Sequence, residues 1–287
     1  MKGFIRQQAF IGGVQVPAMG MGTWYLGESQ AAFEKEKEAV GAGIAAGITL
    51  IDTAEMYGEG AAEELVGEAI RPFDRKRLFL VSKVYPHNAG KNRIEKSCDQ
   101  SLKRLKTEYL DLYLLHWRGS IPLEETIQGM ETLVRKGKIR QWGVSNFDVN
   151  DMEELWSLPG GRRCAVNQVL YHIGSRGVEH SLLPWMRERA VAMMAYCPMA
   201  QGSRGNARLY EHPVLRQTAD AHHTGVPQIM LAFLLAQEGV IPIPRTGNPA
   251  HMRKNRGAAE ILLTEEELAA LDRAFPAPDR KVPLEVR

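Results

Sequence analysis

Cysteine is scarce in this chain: three among 287 residues, Cys98, Cys164 and Cys197. They form no CxxC pair and stand beside no histidine at a ligand spacing. Neither a disulfide scaffold nor a metal module is therefore expected. That usage fits a reducing, cytoplasmic compartment. Charge of one sign is also missing. The net charge is +2 and there is no basic run, so neither nucleic acid nor a membrane surface is expected as a partner. No apolar run approaches the length of a membrane span. The N-terminus carries Lys2 and Arg6 but no apolar stretch behind them, so no secretory signal is read. His222 and His223 have no ligand partner at a helical or finger spacing and read as a solvated helix face. What is present is a globular composition, 44% hydrophobic and 24% charged. At this length it can build one core, read as a single domain over residues 1–287.

Apolar, often β-branched runs recur at residues 49–52, 78–83, 109–116, 140–145, 165–169, 190–196 and 239–244. Between them lie amphipathic stretches of helical length at 30–46, 61–70, 92–105, 123–136, 150–158, 182–189 and 227–237. Strand–helix alternation without a long linker predicts parallel βα units. With residues 16–24 as the first strand there are eight, which is the size of a (β/α)8 barrel of the TIM type. A doubly wound open sheet stays open as the rival, since counting strands does not reveal closure. "AFIGGVQVP" reads as an N-terminal β-hairpin around Gly12 and Gly13. "LTEEELAAL" reads as an additional C-terminal helix, with Thr264 and Glu267 at capping-box spacing. Pro276, Pro278 and Pro283 then make a loose tail. "MGMGTWYLG" contains Gly20-x-Gly22, but Gly27 comes too late for a GxGxxG fingerprint.

In a barrel, chemistry sits where strands end. The strand ends carry Asp52, Lys83, His116, Ser145 with Asn146, Gln168, Tyr196, and Arg245 with Thr246. Each has a bland reading alone: a turn former, a solvated lysine, a hydrogen-bonded histidine. Together, Asp52, Lys83 and His116 fall on adjacent strands, about 5 Å apart, with Tyr57 in the loop above them. A phenol has a pKa of about 10, and a neighbouring lysine cation is expected to lower it. Asp52 would hold that lysine, and His116 would orient a substrate oxygen. This describes a general acid, Tyr57, for carbonyl reduction. Ser145, Asn146 and Gln168 offer amide-type hydrogen bonds for a nicotinamide, Tyr196 a flat stacking face, and Arg245 charge for a phosphate.

At this point the sequence resembles the aldo-keto reductase family over nearly its whole length. The matching segments are "IDTAEMYGEG", "LFLVSKVYP", "YLDLYLLHW", "GKIRQWGVSNF", "VNQVLYH", "AYCPMAQG" and "IPIPRTGNPAHMRKN", in family order. The resemblance implies a (β/α)8 barrel that reduces aldehydes and ketones with NADPH. It assigns Asp52, Tyr57, Lys83 and His116 as the catalytic tetrad. It assigns cofactor contacts to Thr23, Trp24, Asp52, Ser145, Asn146, Gln168, Tyr196, Pro198 and Met199. Gln201, Gly202 and Ser203 match the pyrophosphate loop, and Arg245, Thr246, His251 and Asn255 the adenosine-phosphate end. Trp24 and Trp117 match walls of the substrate pocket, beside Tyr57 and His116. Many relatives have Lys-Ser where this chain has Arg245-Thr246, Arg where it has His251, and Glu where it has Lys254. The short loops resemble the short bacterial-type members, similar to methylglyoxal and 2,5-diketo-gluconate reductases. The resemblance further implies a monomer acting on a small carbonyl compound: aldehyde, α-dicarbonyl or keto-sugar. Two other readings stay open: a dehydrogenase running in the oxidative direction, and a cofactor-sensing barrel with little turnover.

Overall fold

The computed structural model describes residues 8–91, 93–200 and 204–287. Strands β1 (Gln8–Ile11) and β2 (Val14–Pro17) pair antiparallel, Ile11 opposite Val14, as the expected hairpin. Then β3 (Met21–Gly22), β4 (Leu50–Asp52), β5 (Phe79–Val84), β6 (Leu110–Leu115), β7 (Ile139–Ser145), β8 (Val166–Leu170), β9 (Ala192–Tyr196) and β10 (Val240–Pro242) form one parallel sheet in chain order. The sheet closes. Gly20 N donates to Pro242 O at 3.0 Å and Gly22 N to Pro244 O at 3.1 Å, and Gly22 bridges Arg245 in parallel. Closure removes the open-sheet alternative and leaves a (β/α)8 barrel.

The helices are α1 (Phe33–Ala45), α2 (Ala61–Ile70), α3 (Ile94–Leu105), α4 (Leu123–Arg135), α5 (Val149–Ser157), α6 (Leu182–Glu188), α7 (Arg204–Tyr210), α8 (Pro213–Ala221), α9 (Val226–Leu235), α10 (Pro249–Gly257) and α11 (Glu265–Ala274). The capping box of α11 is formed: Thr264 Oγ1 accepts from Glu267 N at 3.1 Å, and Glu267 Oε2 from Thr264 N at 2.8 Å. The amphipathic stretches read from periodicity did not include α7, α8 or α10. The signals for two of them were local: Pro213 and Pro249 stand at helix starts, and Asn248 Oδ1 accepts from Ala250 N at 2.9 Å.

Side chains alternate along each strand, and this period of two builds two cores. Leu50, Phe79, Val81, Leu112, Leu114, Val166, Met194 and Ile241 point inward, and Ile11 and Val16 of the hairpin join them as a plug at the N-terminal end. Ile51, Leu80, Tyr113, Leu115 and Met193 point outward against the helices.

Three expectations are corrected. The run 16–24 is not one strand: it ends its hairpin pairing at Pro17, which has no N–H for a ladder, and resumes at Met21. Gly20 is needed where it resumes, because a Cβ there would stand 2.4 Å from Leu50 Cδ2. His222 is not on a solvated face. It follows the end of α8, with Nε2 3.0 Å from the Glu267 carboxylate, tying α8 to α11. The tail is not loose either: Lys281 pairs with Asp148, and Ser175 donates to Glu285.

Candidate active site

The strand period places the site. On β5, Phe79 and Val81 point inward, so Lys83 does too. On β6, Leu112 and Leu114 do, and His116 follows them; on β4, Asp52 follows Leu50 in the same way. Ser145, Gln168 and Tyr196 crown β7, β8 and β9, with Ser145 beside Gln168 and Leu170 beside Tyr196 in register. The polar residues are therefore the uppermost layer of an otherwise apolar stack.

Within that layer Lys83 is fully buried. Its Nζ donates to Asp52 Oδ2 at 2.8 Å, to Thr53 O at 2.9 Å and to the Tyr57 hydroxyl oxygen at 3.0 Å. An ammonium has three N–H groups, and here each has one acceptor. Gln168 Nε2 donates to the other Asp52 oxygen at 2.7 Å. Thr23 Oγ1 donates to Asp52 O at 3.0 Å. Tyr57 enters from the loop after β4, where the chain turns through left-handed backbone at Gly58, Glu59 and Gly60. Gly60, at φ +100°, holds a left-handed conformation that would strain any residue with a Cβ. The His116 ring stands edge-on to Tyr57, centroids 5.7 Å apart, and its buried Nδ1 has no partner among the described residues.

Electrostatics here follow burial first. Burial pushes the Asp52 carboxyl up and the Lys83 amine down, each opposed by the other's charge. Burial, then the negative charge of Asp52, hold the Tyr57 phenol well above its ordinary value. This corrects the expectation that Lys83 lowers it: a phenolate in the dry layer lacks water and faces a carboxylate. Tyr57 is thus a phenol at neutral pH, its oxygen already accepting from Lys83 and its proton left to donate. Burial and then the Lys83 charge hold His116 well below 6.5, so its ring is neutral.

The other predicted residues are also brought together, with some already engaged. Ser145 Oγ donates to Gln168 O at 2.8 Å. Asn146, at φ +60°, donates to His116 O at 3.1 Å and accepts the Tyr196 hydroxyl at 2.8 Å. A cavity beside this cluster is lined by Thr23, Trp24, Asp52, Tyr196, Pro198, Met199 and Arg245, together with Cys197, which sequence reasoning passed over. Trp117 is 38% exposed, with its ring 4.9 Å from that of His116. Tyr85 meets it edge-on at 5.8 Å and was not anticipated; it is the second residue after Lys83, so the strand period pointed to it. Arg245 does not stand free: its Nε donates to Trp24 O at 2.7 Å. Thr246 Oγ1 accepts from Asn248 N at 3.1 Å within the turn. On α10, His251, Arg253 and Lys254 are exposed, whereas Asn255 is buried and its Nδ2 has no partner among the described residues. Gln201, Gly202 and Ser203 lie outside the described residues.

Comparison with known proteins gives consistent relatives. The sequence profile of the Aldo/keto reductase family matches residues 18–275. Methylglyoxal reductase YeaE of Escherichia coli K12 is 50% identical over 96% of this chain and 97% of its own. Glyoxal reductase of Bacillus subtilis 168 is 33% identical over 93% and 94%. A crystal structure of an aldo/keto reductase from Klebsiella pneumoniae in complex with NADP and acetate superposes with a TM-score of 0.96. It is 49% identical, covering 98% of this chain and 100% of that one.

Proposed function

This chain belongs to the aldo/keto reductase family, and from that premise we propose that it reduces small carbonyl compounds with NADPH, α-dicarbonyls of methylglyoxal size foremost. The observation that carries the reading is the saturated Lys83 ammonium beneath an unspent Tyr57 proton. Tyr57 gives that proton to the carbonyl oxygen, and Lys83 stabilises the phenolate left behind through the hydrogen bond already in place. Asp52, held by Gln168, keeps Lys83 charged and aimed. Neutral His116 hydrogen-bonds the substrate oxygen without competing as an acid. Trp24 and Trp117 wall the substrate.

The residues present fit a nicotinamide dinucleotide. Tyr196 faces the cavity with its hydroxyl anchored on Asn146, so its ring is held as a platform. Asn255 keeps a buried amide donor unused on α10, which suits the polar edge of a base. Thr23, Ser145, Asn146, Gln168, Pro198 and Met199 would hold the nicotinamide half, and Arg245, Thr246, His251 and Asn255 the adenosine-phosphate half. When bound, the cofactor supplies the hydride. A NADP complex of the 49% identical Klebsiella protein supports this choice, and two relatives named for glyoxal and methylglyoxal reduction support the α-dicarbonyl substrate class. Among the described residues no helix is long and apolar enough to cross a membrane. All three cysteines are buried thiols, which supports a reducing, cytoplasmic setting.

The experiment is loss of NADPH absorbance with purified protein across simple aldehydes, α-dicarbonyls and keto-sugars. Turnover highest for the α-dicarbonyls is expected. Absence of turnover with every class would return the chain to the cofactor-sensing reading.

A further inference from the structure

Arg245 sits at the seam where the barrel closes, paired to Gly22 across the β3–β10 gap. Its guanidinium does not extend along its own strand end. It crosses the seam: Nε donates to Trp24 O at 2.7 Å, and Cζ lies 5.6 Å from the Tyr25 ring centroid. Tyr25 in turn stacks on Trp24, centroids 4.6 Å apart and planes 15° from parallel. Trp24 stacks on Tyr57 at 6.1 Å. A continuous column thus runs from the seam to the hydroxyl-bearing ring over Lys83.

Tyr25 is an unusual member. It is 50% exposed, yet it adopts φ +66°. A bulky aromatic residue rarely takes left-handed backbone, and such strain persists only where surrounding contacts impose it. The contacts its ring makes here are with the Trp24 face and with the Arg245 cation. Cation and ring attract, and the attraction acts on a ring that is itself packed on Trp24.

We propose that Arg245 and Tyr25 are positioning residues: together they set the angle of the Trp24 wall and so the width of the substrate pocket beside Tyr57. The inference rests on the carbonyl-reductase reading and adds a determinant of substrate size to it. Arg245 then serves the substrate end of the site, through the Trp24 carbonyl, besides any role toward a phosphate. Opening the wall lowers affinity for a small α-dicarbonyl, which no longer fills the pocket, and leaves proton transfer from Tyr57 intact.

The variants are Arg245→Met, which keeps the stem but removes the donor and cation, Tyr25→Leu, which removes the ring, and Tyr25→Phe, which keeps it. Two readouts are taken on the full chain. The first is KM and kcat for methylglyoxal with saturating NADPH. KM is expected to rise about 10-fold in Tyr25→Leu, the order of one lost charge-assisted contact, with kcat little changed, and to rise in Arg245→Met as well, whose NADPH Kd is measured beside it. Tyr25→Phe should restore the wild-type KM. The second is 19F NMR of protein labelled with 5-fluorotryptophan, without cofactor, the Trp24 signal assigned by its loss in Trp24→Phe. That signal should move in Arg245→Met and Tyr25→Leu and hold still in Tyr25→Phe. An unmoved signal overturns the proposal, as does an Arg245→Met variant in which only the NADPH Kd changes. If the wild type turns over no carbonyl, the reductase reading fails, while the 19F shifts still decide whether Arg245 and Tyr25 place Trp24.

Discussion

Lys83 Nζ stands 3.0 Å from the Tyr57 hydroxyl oxygen and donates to it, across 26 residues of sequence. The direction of that hydrogen bond matters more than its length. Because Lys83 is the donor, the phenolic hydrogen is free, and the raised affinity of Tyr57 for its proton keeps it in place until a substrate oxygen accepts it.

Tyr57→Phe should therefore lower carbonyl reduction by about 10²–10⁴-fold, the usual worth of a positioned acid. NADPH affinity should be unchanged, because the ring remains and only the proton is removed. Fluorescence titration with NADPH beside steady-state turnover checks both halves. Turnover close to wild type would remove Tyr57 from the proton path.

Removing Lys83 should cost fold stability as well as activity. Lys83→Met leaves the Asp52 carboxylate buried with Gln168 as its remaining side-chain donor. Stranding one partner of a buried pair costs about 3–5 kcal/mol. Asp52→Asn strands the lysine instead, but Thr53 O and Tyr57 still accept from it, so a smaller loss is expected. Urea unfolding of both variants gives the comparison; equal and negligible losses would show that the pair is not ionised in the folded chain.

Asn255 separates binding from stability. Its buried Nδ2 has no partner among the described residues, and an unmatched buried donor costs about 1–3 kcal/mol. Asn255→Leu removes that donor together with the Oδ1 acceptor 3.5 Å from Gln228 Nε2, so it should leave the melting temperature of the cofactor-free protein little changed while weakening NADPH binding by about 10-fold. A variant that is destabilised and binds normally would make Asn255 a packing residue.

His116 sets an acid limit. Its folded value is held below 6.5, by burial and then by Lys83, so the unfolded chain takes up the proton more readily than the folded one. The stabilising contribution is complete above pH 6.5 and is lost as pH falls toward the folded value, at up to about 1.4 kcal/mol per pH unit for one proton. His172 is lowered too, mainly by burial, and adds in the same direction. His116→Asn should flatten the fall of melting temperature between pH 6.5 and lower pH. An unaltered slope would mean that His116 is charged when folded.

The sequence by itself determined the βα alternation, the hairpin, the α11 capping box and the identities of the residues at the strand ends. Those are local properties: apolar period, turn residues and the side chain that follows an inward-facing pair. Asp52, Lys83 and His116 could be read because each continues the inward alternation of its own strand. Tertiary structure alone decided matters that depend on distance between remote segments. Closure rests on two hydrogen bonds from Gly20 and Gly22 to Pro242 and Pro244, more than 200 residues along the chain, and no period records it. The upward shift of Tyr57 comes from dryness, which is a property of packing; the sequence showed the nearby lysine and so suggested the opposite sign. Arg245 was legible as a cation at a rim, but its guanidinium takes the nearest fixed acceptor, the Trp24 carbonyl, 221 residues away. The pairing of His222 with Glu267 has the same origin: it joins the ends of two helices that only the folded barrel sets side by side.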